Sequence, residues 1–213
     1  MIVHNMEQRS DEWYAVRSGK FTASNFKQLI TPKGSISIAG AKTFAYSVAA
    51  ERYASGPVNE FIGNEWTRRG TELEEDAKSL YTLTTNEPIV SVGFIECDDL
   101  PAGCSPDGMV GNDGMVEYKC LKSENHIKAL IHIVKENTCP PDYHSQVQGN
   151  LWITGRQWID LVFYHPELPF HVMRVYPDLE IHKMLAAALR SADEVCCEAV
   201  SILTQFPIPK ENK

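Results

Sequence analysis

The sequence predicts a mixed α/β (α+β) fold, a central mixed β-sheet flanked by helices, and three observations carry that prediction. Apolar residues recur at helical spacing over 39–55, 65–84 and 178–206. β-Prone runs bounded by turn residues lie at 89–97, 101–104, 115–118, 157–164 and 170–176. A length of 213 residues, 43% hydrophobic and 23% charged, suits one domain or one domain with an added lobe. We divide it into a helical lobe over 1–60, a core over 61–165, and a strand plus C-terminal helix over 166–213.

Each element has a local reason. Ser10 is an N-cap with acids in the first turn, so a helix runs to about Ser18 and stops at Gly19, a natural residue just past a helix end. Thr22 offers a second N-cap, opening a helix that reaches about Ile30 and ends before Pro32. A polar loop over 33–38 leads to a core helix over 39–55, closed by Gly56-Pro57. The helix over 65–84 carries Trp66, Leu73, Ala77, Leu80 and Tyr81 as an apolar stripe, with Glu74 at its edge. Three strands then form an antiparallel meander, with an irregularity at Gly93. Helices over 125–134 and 143–154 are separated by Pro140-Pro141, and the strands over 157–164 and 170–176 pair across a Pro-containing turn. The last helix, over 178–206, is apolar on more than one face; part buries against the sheet, and the surplus suits another subunit.

Composition excludes several classes. The N-terminus lacks the apolar core of a signal peptide and no run approaches 18 apolar residues, so cytoplasmic residence and no membrane partner are expected. Six cysteines show neither a C-x-x-C pair nor zinc-finger spacing, which favours reduced structural thiols over a zinc or iron–sulfur centre. A net charge of −8 argues against coating DNA through bulk positive charge. Between Trp13 and Ala50, however, there is no Asp or Glu, while Arg17, Lys20, Lys27, Lys33 and Lys42 all fall inside. Gly19-Lys20 is not a P-loop, because Tyr14 and Phe21 occupy its glycine and Ser/Thr positions.

The stretch C-S-P-D-G-M-V-G-N-D-G-M-V-E-Y-K, residues 104–119, carries the chemistry. Side chains alternate along a strand, so Glu117 and Lys119 share a face and Tyr118 points into the opposite layer. If the glycine-marked turn is a hairpin, Asp107 returns to the Glu117 face, and two carboxylates and an ammonium converge. Hard oxygen donors on rigid strands suit Mg²⁺, which makes a water easier to deprotonate and neutralises charge on a phosphoryl oxygen. Phosphate-ester hydrolysis requires on the order of 20 kcal/mol of catalysis, and a lone general base supplies only about 10²–10⁴-fold. Pro-Asp-Gly is equally an ordinary turn and Glu-x-Lys an ordinary strand face, so the motif alone leaves both readings open. A second candidate is an anion site made by Arg17, Thr22 and Ser24 at a helix N-terminus, for which plain capping is the alternative.

Five segments, D-E-W-Y-A-V-R-S-G-K-F-T-A-S (11–24), R-G-T-E-L-E-E-D-A-K-S-L-Y (69–81), C-S-P-D-G (104–108), V-E-Y-K-C (116–120) and Q-V-Q-G-N-L-W-I-T (146–154), resemble in that order the lambda-type phage exonucleases. These form the YqaJ-like viral recombinase family of the PD-(D/E)XK nuclease superfamily. The resemblance implies a restriction-endonuclease-like core and a nuclease. It implies Mg²⁺, with Mn²⁺ a possible substitute, on Asp107, Glu117, Glu74 and the Tyr118 carbonyl. Lys119 would activate the attacking water beside Gln146, and Arg17 and Ser24, with Thr22 and Lys20 nearby, would bind a 5′-phosphate in the N-terminal lobe. The implied activity is 5′→3′ degradation of linear double-stranded DNA to mononucleotides, in a phage- or prophage-encoded protein acting in the bacterial cytoplasm. The implied partners are DNA ends, a single-strand annealing recombinase and copies of the chain in a ring trimer. Arg69 stands before Gly70 where an aromatic occurs in the family. The competing readings are a PD-(D/E)XK endonuclease or RecB-like module, and a non-catalytic DNA-end binding module.

Overall fold

The structure, a computed structural model, describes residues 1–31, 34–58 and 65–206, without the side chains at 65–68, 70 and 71. Lys33 and the side chain of Trp66, both used above, lie outside the described residues. The expected mixed α/β architecture with flanking helices holds; among the described residues its strands form two mixed sheets rather than one. The first contains β1 (Ile2–His4), β4 (Phe94–Glu96), β5 (Ala102–Cys104) and β2 (Phe21–Thr22) in that order. The second contains β3 (Ile89–Val90), β6 (Gly108–Val110), β7 (Gly114–Cys120), β8 (Trp158–Tyr164) and β9 (His171–Val175). Strands β7 and β8 run parallel in register from Gly114↔Trp158 to Cys120↔Tyr164, and β9 is antiparallel to β8.

The expected three-stranded meander is thus divided between sheets. The expected 89–97 strand breaks at Gly93, where an added Cβ would lie 2.6 Å from the Met6 carbonyl oxygen and 2.7 Å from that of His4. That close backbone approach lets the chain leave the sheet of β3 and enter that of β4. β6, unforeseen, pairs with β7 as Gly108↔Val116, Met109↔Met115 and Val110↔Gly114. Only Gly111, at φ +53°, fits the left-handed turn between them without a Cβ penalty.

The helices follow their caps. α1 (Asp11–Arg17) is capped by the Ser10 hydroxyl, which accepts from the Trp13 N–H at 3.2 Å. The segment after Thr22 is a 3₁₀ helix, Ala23–Gln28, rather than the α-helix expected, and Thr22 makes no side-chain cap bond. α2 (Ile38–Ala54) starts at a Ser37 cap, and α3 spans Glu65–Thr85. α4 (Ser123–Glu136) ends at Asn137, φ +51°, and α5 (Pro141–Thr154) has proline at its first position. α6 (Leu179–Leu203) is capped by Asp178, whose carboxylate accepts from the Glu180 and Ile181 N–H groups.

Among the described residues, three apolar clusters hold these parts. Leu185, Ala188, Leu189, Ala192 and Cys196 of α6 pack with Phe44, Ala45, Val48 and Ala49 of α2 and with Ile95, Ala102 and Cys104. The last helix packs chiefly on α2, and also on α5, rather than directly on a sheet as expected. α5 lays Val147 and Leu151 on the face of the large sheet bearing Met115, Ile159, Leu161 and Phe163. α3 lays Ala77 and Tyr81 on the opposite face, against Val116, Tyr118 and Val162. Each fully buried Leu, Ile or Phe contributes about 1.5–3 kcal/mol, and together these fix α3 and α5 on either side of β7.

Candidate active site

β7 is buried on both faces, so its alternation delivers Tyr118 to α3 and Glu117 and Lys119 to α5. The β6–β7 hairpin sets Asp107 one residue before Gly108, and its Oδ2 accepts the Tyr118 backbone N–H at 2.6 Å. The hairpin expectation therefore holds. Glu117, 5% exposed, accepts at Oε1 from Lys119 Nζ at 2.9 Å and Gln146 Nε2 at 2.6 Å. Its Oε2 accepts from Asn150 Nδ2 at 3.3 Å. Gln146 Oε1 in turn accepts from Lys119 Nζ at 3.0 Å, so acid, amine and amide close a triangle.

Electrostatics couple the carboxylates. Burial pushes Asp107 well above the ordinary carboxylate range, and the charges of Glu117 and Glu74 push it further. Glu74 is raised by burial, opposed by its bond to Arg9, and it senses Glu117 and Lys119. Burial alone would lower Lys119, but the charge and hydrogen bond of Glu117 outweigh it and leave the amine raised. Lys119 is therefore an ammonium, a donor rather than a base. Although α3 lies on the other face of the sheet, Glu74 stands within electrostatic reach of Asp107 and Glu117. Among the described residues, no three His, Cys, Asp or Glu side chains form a ready-made ion cage. Lys119, Gln146 and Asn150 occupy Glu117, while Arg9 Nη2 lies 2.9 Å from both Glu74 oxygens. The donor chemistry nevertheless fits a hard divalent cation, because neighbouring carboxylates raise the charge cost of Asp107 and Glu74 and such an ion would relieve it.

Arg17 lies at the same end of the molecule. Its guanidinium stacks on the Trp13 ring at 3.8 Å and donates to Ser105 Oγ at 3.1 Å, and burial lowers its pKa to about 10. Thr22 pairs in register with Gly103, two residues before Ser105. Its hydroxyl is 3.4 Å from that of Ser24 and accepts from Asn25 Nδ2 at 3.2 Å. Lys20 is turned elsewhere, donating to the Val16 carbonyl at 2.6 Å and pairing with Glu96 at 3.2 Å. A cleft of about 450 Å³, lined by His132, His144, Gln148, Tyr176 and Asp178, contains none of the predicted site residues.

Sequence reasoning missed Asn150, Ser105 and Arg9. Asn150 had a signal: it lies four residues after Gln146, on the same helix face. Ser105 sits inside C-S-P-D-G, although its partners Trp13 and Arg17 are remote in sequence. Nothing local marks Arg9, whose partner lies 65 positions away.

A mixed sheet between helices, with an acid before a hairpin and Glu-x-Lys on its second strand, defines the PD-(D/E)XK nuclease class, to which this α/β protein belongs. Residues 12–157 match the YqaJ-like viral recombinase domain, and the chain is a member of that family. It is similar to LHK-Exo in complex with dAMP, at 29% identity and TM-score 0.79, over 92% of this chain and 97% of that one. It is similar also to the alkaline exonuclease LHK-Exo from Laribacter hongkongensis, at 29% identity and TM-score 0.76, over 93% and 100% of the two chains. A phage related exonuclease from Haemophilus somnus 129PT, at 17% identity and TM-score 0.65 over 88% and 96%, attests the fold alone. No curated protein matches significantly. Among the described residues no helix is long and apolar enough to cross a membrane.

Proposed function

We propose that the chain is a divalent-metal-dependent exonuclease. It degrades the 5′-ended strand of linear double-stranded DNA, releases mononucleotides and leaves 3′ single strands for an annealing recombinase in phage-type recombination. The observation that carries this reading is the Lys119–Glu117–Gln146 triangle beside Asp107, in a member of the YqaJ-like family. The LHK-Exo complex contains a deoxynucleoside monophosphate, the kind of product such hydrolysis leaves.

Asp107, Glu117, Glu74 and the Tyr118 carbonyl are the groups that would hold Mg²⁺, with Mn²⁺ as a substitute. The ion, when bound, supplies Lewis acidity at a phosphoryl oxygen and acidifies a water. Lys119, kept cationic and aimed by Glu117 and Gln146, orients the attacking water and offsets negative charge developing at phosphorus. Arg17, Thr22 and Ser24 take the 5′-phosphate in the N-terminal lobe, and Lys20 joins them on leaving Glu96. Arg17 suits that role because its Trp13 stack and Ser105 bond preorganise a partly desolvated guanidinium. A homo-oligomer, by resemblance a ring trimer around DNA, belongs to the same reading.

The test is a linear duplex labelled separately at its 5′ and 3′ ends, incubated with Mg²⁺. The 5′ label is released first, as a mononucleotide, and a covalently closed circle stays intact. Asp107→Ala and Lys119→Ala lose cleavage but still bind DNA ends. Cutting of the circle, first release of the 3′ label, or full activity in Lys119→Ala would overturn the reading.

A further inference from the structure

Arg9 lies in the loop between β1 and α1 at φ +71°, a left-handed conformation disfavoured for any residue with a Cβ. The flanking residues hold it there. Gln8 Nε2 donates to the Val92 carbonyl at 2.8 Å and to the Pro106 carbonyl at 3.0 Å, pinning the loop to the peptide just before Asp107. On the other side Ser10 caps α1 and its hydroxyl donates to the Glu7 carbonyl at 2.7 Å. A disfavoured backbone persists only where its surroundings over-determine it, and such positions cluster at functional sites. The result is a guanidinium nitrogen 2.9 Å from each oxygen of Glu74. Glu74 is the one acid of the three that stands on a helix rather than at the β6–β7 hairpin, and Arg9 engages both of its oxygens.

We propose that Arg9 is a built-in counter-cation for Glu74, competing with the divalent ion for that carboxylate and so setting the affinity of the site for metal. This rests on the reading of Glu74 as a metal-binding carboxylate. Arg9 must give up an oxygen of Glu74 before a metal ion can take it. The exchange is balanced in kind: one positive partner leaves the carboxylate as another arrives. The guanidinium side chain is 45% exposed, so its release costs little desolvation, and once free it can meet a nucleic-acid phosphate.

The experiment measures binding of Mn²⁺ alone, without DNA, from the electron paramagnetic resonance signal of the free ion. Arg9→Gly is the informative variant, because glycine adopts φ +71° without strain and the fold is retained as the guanidinium is removed. It should bind Mn²⁺ about 2- to 5-fold more tightly than the parent chain, and the gain should vanish when Glu74→Gln is present in both. Equal or weaker Mn²⁺ affinity in Arg9→Gly overturns the inference while leaving the metal reading intact. Absence of Mn²⁺ binding in parent and variant alike overturns that reading, and the inference with it.

Discussion

Arg17 Nη1 and Ser105 Oγ are hydrogen-bonded at 3.1 Å, joining the last residue of α1 to the residue just after β5, two residues before Asp107. Ser105 Oγ also accepts from Trp13 Nε1 at 3.0 Å, so one hydroxyl aligns the indole and the guanidinium stacked on it. Ser105→Ala removes that shared acceptor. Trp13 keeps the Gly93 carbonyl, so the stability loss should be only about 1 kcal/mol. Arg17 loses its orientation, and the preference for 5′-phosphorylated over 5′-hydroxyl ends should fall about 10-fold, with the rate on hydroxyl ends little changed. Initial rates on the two substrates, parent against variant, test this.

Asn150 is 1% exposed and supplies the third donor to Glu117. Outer partners of this kind are worth about 10–100-fold in activity or metal affinity. Asn150→Ala should therefore lower kcat by at least about 10-fold while Lys119 and Gln146 keep the remaining bonds. Asn150→Asp should be worse, because it sets a second negative charge against the Glu117 oxygen. Single-turnover rates with saturating Mg²⁺ separate the two; equal rates for both variants would remove Asn150 from the site.

The legible part of the molecule is the part governed by short-range rules. Asp107, Glu117 and Lys119 could be placed on one face because strand alternation and a glycine turn act over a dozen residues. Ser10 marked a helix start by cap chemistry that is likewise local, and Pro140-Pro141 marked a break between helices. The division of 89–104 between two sheets was hidden because it depends on Gly93 meeting the backbone at His4 and Met6, contacts remote in sequence. The 3₁₀ form of Ala23–Gln28 was hidden for a similar reason. An added Cβ at Gly149 of α5 would lie 2.5 Å from Phe26 Cδ2, so tight packing, not the Thr22 cap, shapes that turn.

Asp160 stands 1% exposed on β8 and accepts from Tyr81 Oη at 2.7 Å and from Arg174 Nε and Nη2 at 2.8 Å each. Arg174 in turn stacks on Trp158 at 3.6 Å, tying α3, β8 and β9 together. Truncating one partner of a buried pair costs about 3–5 kcal/mol when both are buried. The Arg174 side chain is 41% exposed, so water partly compensates, and Arg174→Ala should cost about 2 kcal/mol. Tyr81→Phe removes a single donor and should cost about 1 kcal/mol. Urea unfolding midpoints measure both, and the double variant should depart from additivity because the two share one carboxylate.

His126 gives a pH signature separate from the carboxylate site. It is fully buried, its Nε2 donates to the Pro169 carbonyl at 2.9 Å, and its Nδ1 is buried without a hydrogen-bond partner. Burial lowers its pKa from the ordinary value of 6.5, and the neighbouring His165, whose ring centre is 5.9 Å away, lowers it further. The folded chain thus binds a proton at His126 less readily than the unfolded chain. The sign follows: this residue's contribution to stability is fully present above pH 6.5 and is lost as pH falls from there toward the folded value. His126→Gln keeps a donor for Pro169 but cannot titrate in that window. The stability advantage of the parent chain over His126→Gln should therefore shrink between pH 7.5 and 5.5, with a slope no steeper than one proton, about 1.4 kcal/mol per pH unit. Paired denaturant titrations across that range check it. An advantage that stays constant or grows toward acid would show that His126 is charged in the fold, with Nδ1 holding its proton against an acceptor.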